Sequence, residues 1–207
     1  MKRQFFLALL VLGSIVCWAG DASSGWPWYS FPRLIAGGSI GLFRASLENF
    51  PDLYDSRWGG LYAGQANVRV YKSNFLSVQY GQFRKTATVD LSGLKQQAEW
   101  DERLLNVGIR WYAEPYRQWR LYSGFGFNFV QVHEKAHLSL LKPTAATDVT
   151  SSGRGFYLEI GTDMVLLPNF GLNLELEVSS ASKGGAPGFM GSSLGGYLLG
   201  AGLNFYL

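Results

Sequence analysis

The chain contains two histidines, and their spacing suggests a metal site. His133, Glu134 and His137 fit the pattern H-E-x-x-H, in which two histidines bind zinc and the glutamate activates a water molecule. This chemistry requires a helix, because residues four apart then lie about 6 Å from each other on one face. On a strand the same histidines are about 13 Å apart and cannot share an ion. Residues 125–132 alternate as a strand does, so we predict a solvated strand extension or loop tip here, without a metal or other cofactor.

Seven charged residues occur on the more polar face of alternating segments. They are Arg69, Arg110, Arg120, Glu159, Asp163, Glu175 and Glu177. If they line one cavity, they could form a small pore or bind a polar ligand. Charges enclosed in a medium of low dielectric constant are costly unless they are paired. We therefore favour a neutralising plug of three positive and four negative groups.

Eight segments position these residues, and each alternates apolar and polar side chains with a period of two, which predicts strands. The segments span residues 33–44, 60–71, 75–85, 104–112, 119–130, 156–166, 171–179 and 197–207. Three short connections alternate along the chain with four long polar ones. The short ones span residues 72–74, 114–117 and 167–169, and the long ones 45–59, 86–102, 133–152 and 180–195. This order predicts an all-β fold, an eight-stranded antiparallel up-and-down barrel with its long loops at one end.

The more apolar face of the strands decides the environment of this barrel. That face is bulky and nearly continuous, whereas the other combines glycines with the seven charges. Because the lumen of an eight-stranded barrel holds only its own side chains, the small and charged face suits the inside. Tyr71, Trp111 and Trp119 stand beside the short turns, where a membrane barrel carries an aromatic girdle. We therefore predict a transmembrane β-barrel; the alternative is a soluble, lipocalin-like barrel with its apolar face turned inward around a ligand.

The first 19 residues predict export. A positively charged start precedes an apolar run at residues 5–18, and small residues follow, as in a signal peptide. Cleavage after Ala19 and cleavage after Ala22 both fit the small-residue pattern. We therefore assign residues 1–19 to a signal peptide.

Composition excludes several other classes of protein. One cysteine cannot form a disulfide within the chain, and no run of 18 apolar residues indicates a transmembrane helix. Two positive charges of the net +3 lie in the predicted signal peptide, so nothing indicates a nucleic-acid partner. We assign residues 20–32 to an N-terminal segment and residues 33–207 to a single barrel domain.

The C-terminal sequence carries a family resemblance. Gly200-Ala-Gly-Leu-Asn-Phe-Tyr-Leu207 is similar to the terminal signal that small outer-membrane barrels present to the barrel-assembly machinery. Residues 33–207 resemble the eight-stranded group that includes the OmpA transmembrane domain, OmpX and the opacity proteins. The resemblance implies a monomer in a bacterial outer membrane, surrounded by membrane lipids and lipopolysaccharide, with the assembly machinery as a partner. It implies fold and location rather than an activity.

Ser179 is the second residue with possible chemistry. The segment Glu177-Val-Ser-Ser-Ala181 resembles the His-x-Ser-Asn-Ala motif with which one family of eight-stranded barrels removes an acyl chain from lipid A. Here Glu177 stands where the motif has histidine, and Ser180 where it has asparagine. Without an imidazole, Ser179 has no evident general base, and we predict no catalytic residue.

The long loops combine aromatic and basic side chains, a mixture suited to surface recognition. The large apolar residues are Phe50, Tyr54, Trp58, Trp100, Phe189 and Met190. The basic ones, which could meet lipopolysaccharide phosphates, are Arg57, Lys95, Lys135, Lys142, Arg154 and Lys183. We predict a non-enzymatic structural or surface-interaction role through four long extracellular loops. The alternatives are a lipid A deacylase-like or zinc hydrolase barrel, and a small ligand carrier or pore.

Overall fold

The computed structural model describes residues 31–91, 94–113, 118–136, 148–183 and 193–207. Eight long strands and one short helix make up these ranges. They are β1 (Leu34–Ala45), α1 (Phe50–Tyr54), β2 (Trp58–Tyr71), β3 (Asn74–Leu91), β4 (Leu94–Tyr112), β5 (Trp119–Lys135), β6 (Val149–Leu167), β7 (Phe170–Lys183) and β8 (Gly196–Tyr206). A two-residue strand, Ser193–Leu194, precedes β8. The predicted signal peptide lies outside the described residues.

Every strand pairs with its neighbours in antiparallel fashion, and the sheet closes on itself. β1 pairs with β8 from Ile35 opposite Tyr206 to Ala45 opposite Gly196. The last residue strengthens this seam, because the Leu207 amide donates to the Leu34 carbonyl at 2.8 Å. Closure removes the free strand edges that hydrocarbon would not tolerate. The predicted eight-stranded antiparallel barrel is therefore confirmed.

Large apolar side chains form a belt on the outer wall, as the alternation of the strands predicts. The belt includes Leu42, Tyr62, Val68, Leu76, Val78, Tyr80, Leu105, Ile109, Leu121, Phe125, Phe127, Phe129, Leu172, Leu174, Leu176, Leu199, Leu203 and Phe205. Tyr71 and Trp119 are exposed beside the short turns, and Trp111 stacks on Phe125 with ring centroids 5.2 Å apart. Among the described residues, no helix is long and apolar enough to cross a bilayer.

The strands continue beyond the belt towards the long loops. On β4 the next outward-facing residue from Leu105 towards the long loops is Arg103, and on β6 Arg154 is likewise exposed. Residues 86–102, which the sequence suggested were a long polar loop, instead extend the β3–β4 hairpin to the pair Leu91–Leu94. Beyond the bilayer the outer wall meets water, so both faces of a strand can be polar there. The alternation that reveals the membrane-spanning part then disappears from the sequence.

Candidate functional site

The residues of the H-E-x-x-H pattern lie on β5 and beyond it. His133 is on the outer wall, with Nδ1 3.1 Å from the Thr150 hydroxyl and Nε2 3.4 Å from a carboxylate oxygen of Asp148. Glu134, the next residue, is fully buried inside the barrel. Because adjacent side chains of a strand point to opposite faces, Glu134 cannot activate a water on a metal held by His133. His137 lies outside the described residues, and no metal-binding group of His, Cys, Asp or Glu occurs within them.

Ser179 faces the lumen. Its side chain is buried, and its Oγ accepts a hydrogen bond from the Gly196 amide at 3.2 Å. Glu177 faces the same way and is also buried. The acyl chains of a lipid touch only the outer wall, so Ser179 stands where lipid A does not reach. His133, the one histidine in the described part of the chain, is on that outer wall.

A buried ion pair occupies the middle of the lumen. Arg110 on β4 donates from Nε and Nη2 to the two carboxylate oxygens of Glu159 on β6, at 2.8 and 2.7 Å. The two strands are not neighbours, and Gly124 of β5 lies between them in register with both residues. A Cβ atom on Gly124 would stand 2.3 Å from Glu159 Oε1. Glycine at this position therefore lets the ion pair form across the intervening strand.

Amide and hydroxyl groups surround the other buried carboxylates. Asp163 accepts hydrogen bonds from the side-chain amides of Asn173 and Asn204, at 2.8 and 2.9 Å. Glu175 accepts a hydrogen bond from the Ser39 hydroxyl at 2.7 Å, and the Gln79 amide lies 3.4 Å from its second oxygen. Neutral donors of this kind lower the cost of burying a carboxylate.

The two remaining arginines lie closer to the short turns. The Arg120 guanidinium lies 4.9 Å from the ring centroid of Tyr206 and 5.8 Å from that of Phe31. Arg69 is only partly buried and donates to the Phe31 carbonyl. Arg69 therefore stands at the end of the barrel and forms no ion pair with the residues that the structure describes, although the sequence grouped it with Arg110 and Arg120.

Aromatic side chains fill the mouth of the barrel at the long-loop end. Phe50 and Tyr54 of α1 stack at 4.6 Å, and Trp100 meets Phe50 edge-on at 5.1 Å. All three are buried, so their predicted role as exposed recognition residues is wrong. Large apolar groups above the bilayer are shielded from water only if they turn inward. Trp58 is half exposed, as predicted, whereas Phe189 and Met190 lie outside the described residues.

A buried carboxyl group supports this mouth cluster. Glu102 of β4 accepts hydrogen bonds from the Trp100 indole at 3.0 Å and from the Gly195 amide at 2.8 Å. Gly195 has a φ of +92°, a conformation that other residues rarely adopt. Glu102 lies beyond Arg103 and thus outside the membrane-spanning part of β4. Burial raises its carboxyl pKa from 4.5 to about 7, although both hydrogen bonds oppose the increase.

We expect the mouth to open more easily as pH rises. The folded pKa of Glu102 is above the unfolded value, so the folded form loses stability between pH 4.5 and about 7. The loss is on the order of 3 kcal/mol. Hydrogen exchange of the Gly195 amide, corrected for intrinsic base catalysis, measures the opening free energy. Glu102→Gln should remove its pH dependence, and the exposed control Glu99→Gln should retain it. An equal slope in both variants would contradict this assignment.

Comparison with descriptions of protein families finds no match, and comparison with curated proteins finds none either. Solved structures do match. Neisserial surface protein A (NspA) is 12% identical with a TM-score of 0.55, covering 84% of this chain and 96% of that one. The N-terminal β-barrel domain of Pseudomonas aeruginosa OprF is 12% identical with a TM-score of 0.52, covering 85% and 98%. The outer membrane protein OprG of the same species is 12% identical with a TM-score of 0.52, covering 86% and 97%. With its closed sheet and the apolar belt on its outer wall, the chain has the fold of the small eight-stranded outer-membrane β-barrels.

Proposed function

We propose that the protein is a non-enzymatic barrel with a structural or surface-interaction role at its long-loop end. The filling of the lumen supports this proposal. The mouth cluster, the polar network around Arg110 and an aromatic cluster near the short turns follow one another along the barrel. A cavity of about 10 Å³ lies between the mouth cluster and the network, with room for about one water molecule.

The positions of the candidate catalytic residues give the enzyme alternatives no support. His133 and Glu134 point to opposite sides of the wall, and Ser179 points into the lumen. A hydrolase of membrane lipids needs its nucleophile and base together on the outer wall.

We also propose a monomer whose last strand is recognised by the barrel-assembly machinery. Leu203, Phe205 and Leu207 all face outward on β8 and at its end. Their side chains are therefore accessible to a machinery that binds the last strand from outside the barrel. Membrane lipids then surround the belt, and lipopolysaccharide contacts the wall above it.

We expect the folded protein to pass no steady ion current in planar bilayers. Between the mouth cluster and the network, the described side chains leave a cavity of only about 10 Å³, which is too small for a hydrated ion. Folding is checked by the faster migration of the unboiled protein on a detergent gel, and a reconstituted porin serves as the positive control. Discrete conductance steps from the folded protein would contradict the closed lumen and favour the pore alternative.

A further inference from the structure

A groove of about 770 Å³ runs across the outer wall of β3, β4, β5 and β6. Its apolar part is a row of cross-strand neighbours: Tyr80 lies opposite Leu105, which lies opposite Phe129. Arg154 of β6 completes this row, opposite Phe129. The groove therefore has an apolar floor, continuous with the belt, and a cation at one side.

The next row towards the long loops is polar. Arg103 lies in it opposite Gln131, and Gln131 lies opposite Ser152. The strands of Arg103 and Arg154 are separated by β5, so the backbones that carry them are about 10 Å apart. Long arginine side chains can close much of that distance. Both arginines line the groove, Arg154 in the apolar row and Arg103 in the polar row next to it.

The edge of the groove carries excess positive charge. Arg84 and Arg103 share one carboxylate, that of Asp101, at 3.5 and 3.3 Å. Arg154 has no ionic partner among the residues that the structure describes. The outward-facing charges of these rows are thus three arginines and Asp101, and Asp148 contacts His133 just beyond them.

These features together define the chemistry of an occupant. It must bring an apolar chain to Tyr80, Leu105 and Phe129, and an anion to Arg103 and Arg154. A guanidinium group binds phosphate through two parallel hydrogen bonds. Gln131 and Ser152 offer neutral donors and acceptors suited to sugar hydroxyls.

We propose that this groove binds the phosphorylated sugar head group of lipopolysaccharide. Arg103 and Arg154 contact its phosphates, and the apolar row holds one acyl chain. The assignment rests on the proposed function, since it places the long-loop end at the outer leaflet. It names the site at which the barrel meets that lipid.

The test measures lipid binding to the folded protein by native mass spectrometry. The probes are lipid A with its phosphates, dephosphorylated lipid A and phosphatidylglycerol. The Arg103→Gln/Arg154→Gln variant should bind phosphorylated lipid A about a hundredfold more weakly, since each charged hydrogen-bonding group contributes about tenfold. The matched control Arg33→Gln/Lys72→Gln removes two exposed charges at the short-turn end and should leave the affinity unchanged.

Each other outcome overturns a stated part of the assignment. Equal binding by both double variants would show that Arg103 and Arg154 are not the site. Equal affinity of the wild-type protein for phosphatidylglycerol and lipid A would exclude a site built for the glycolipid. Both arginines are exposed, and the gel shift on boiling checks that the variant is folded. A current in planar bilayers would contradict the proposed function independently of these lipid affinities.

Discussion

Replacing Arg110 by methionine should lower the free energy of unfolding by about 3–5 kcal/mol, because it leaves a buried carboxylate without its cation. Arg110 and Glu159 are both fully buried, and two hydrogen bonds join them. The Arg110 guanidinium also lies 4.2 Å from the ring centroid of Tyr122. Among the described residues, no other arginine forms an ion pair inside the lumen, so nothing nearby replaces the lost charge.

The matched variant is Arg110→Met/Glu159→Gln, which removes both charges at once. It should recover at least about 2 kcal/mol of the loss, because the penalty of the single variant comes mainly from the unpaired carboxylate. Denaturant unfolding in lipid vesicles, followed by tryptophan fluorescence, measures all three proteins. If the single and double variants are equally stable, the ion pair is not what neutralises Glu159.

The membrane-spanning part of the fold is predictable because the bilayer imposes a simple rule. Most outward positions must be apolar, so the outward row of β5 reads Leu121, Ser123, Phe125, Phe127, Phe129, with one polar residue among four large apolar ones. Its inward positions are free to be small or polar. Tight turns and the period of two then define both the strands and their order.

The pairing of charges inside the lumen is less accessible to sequence reasoning. Alternation places Arg110 and Glu159 on the inner face but cannot say that they meet. Their contact depends on the register of three strands and on Gly124 between them. Arg69 shows the same limit. Alternation correctly places it on the inner face of β2, but does not show that it lies at the short-turn end of the barrel, away from Arg110.

The burial of the aromatic residues in the mouth of the barrel is not predictable, for a related reason. Phe50, Tyr54 and Trp100 lie in segments without a clear alternation, and such residues fit an exposed recognition loop equally well. Only the structure shows that α1 folds into the barrel end and that β4 continues past the bilayer. The sequence does not predict that Glu102 and Glu134 are buried, because the predicted strands do not extend to these two residues.

The position of the bilayer on the wall can be tested with a charge. Leu174 is half exposed near the middle of the outward row of β7, between Leu172 and Leu176. Leu174→Arg should lower the free energy of unfolding by about 2–4 kcal/mol, the cost of an arginine facing lipid at the bilayer midplane. The measurement is reversible unfolding of the protein in vesicles.

The exposed residue Gln97 provides the control, because it lies on β4 beyond Arg103 and faces water. Gln97→Arg should change the stability by less than about 0.5 kcal/mol. A comparison of the two losses in unfolding free energy shows which part of the barrel wall faces the hydrocarbon of the bilayer. A neutral Leu174→Arg would mean that this face is not in lipid, and the belt would then need another partner to cover it. A large cost for Gln97→Arg would extend the bilayer over the β3–β4 hairpin, where Arg84 and Arg103 already face outward and make such a placement expensive.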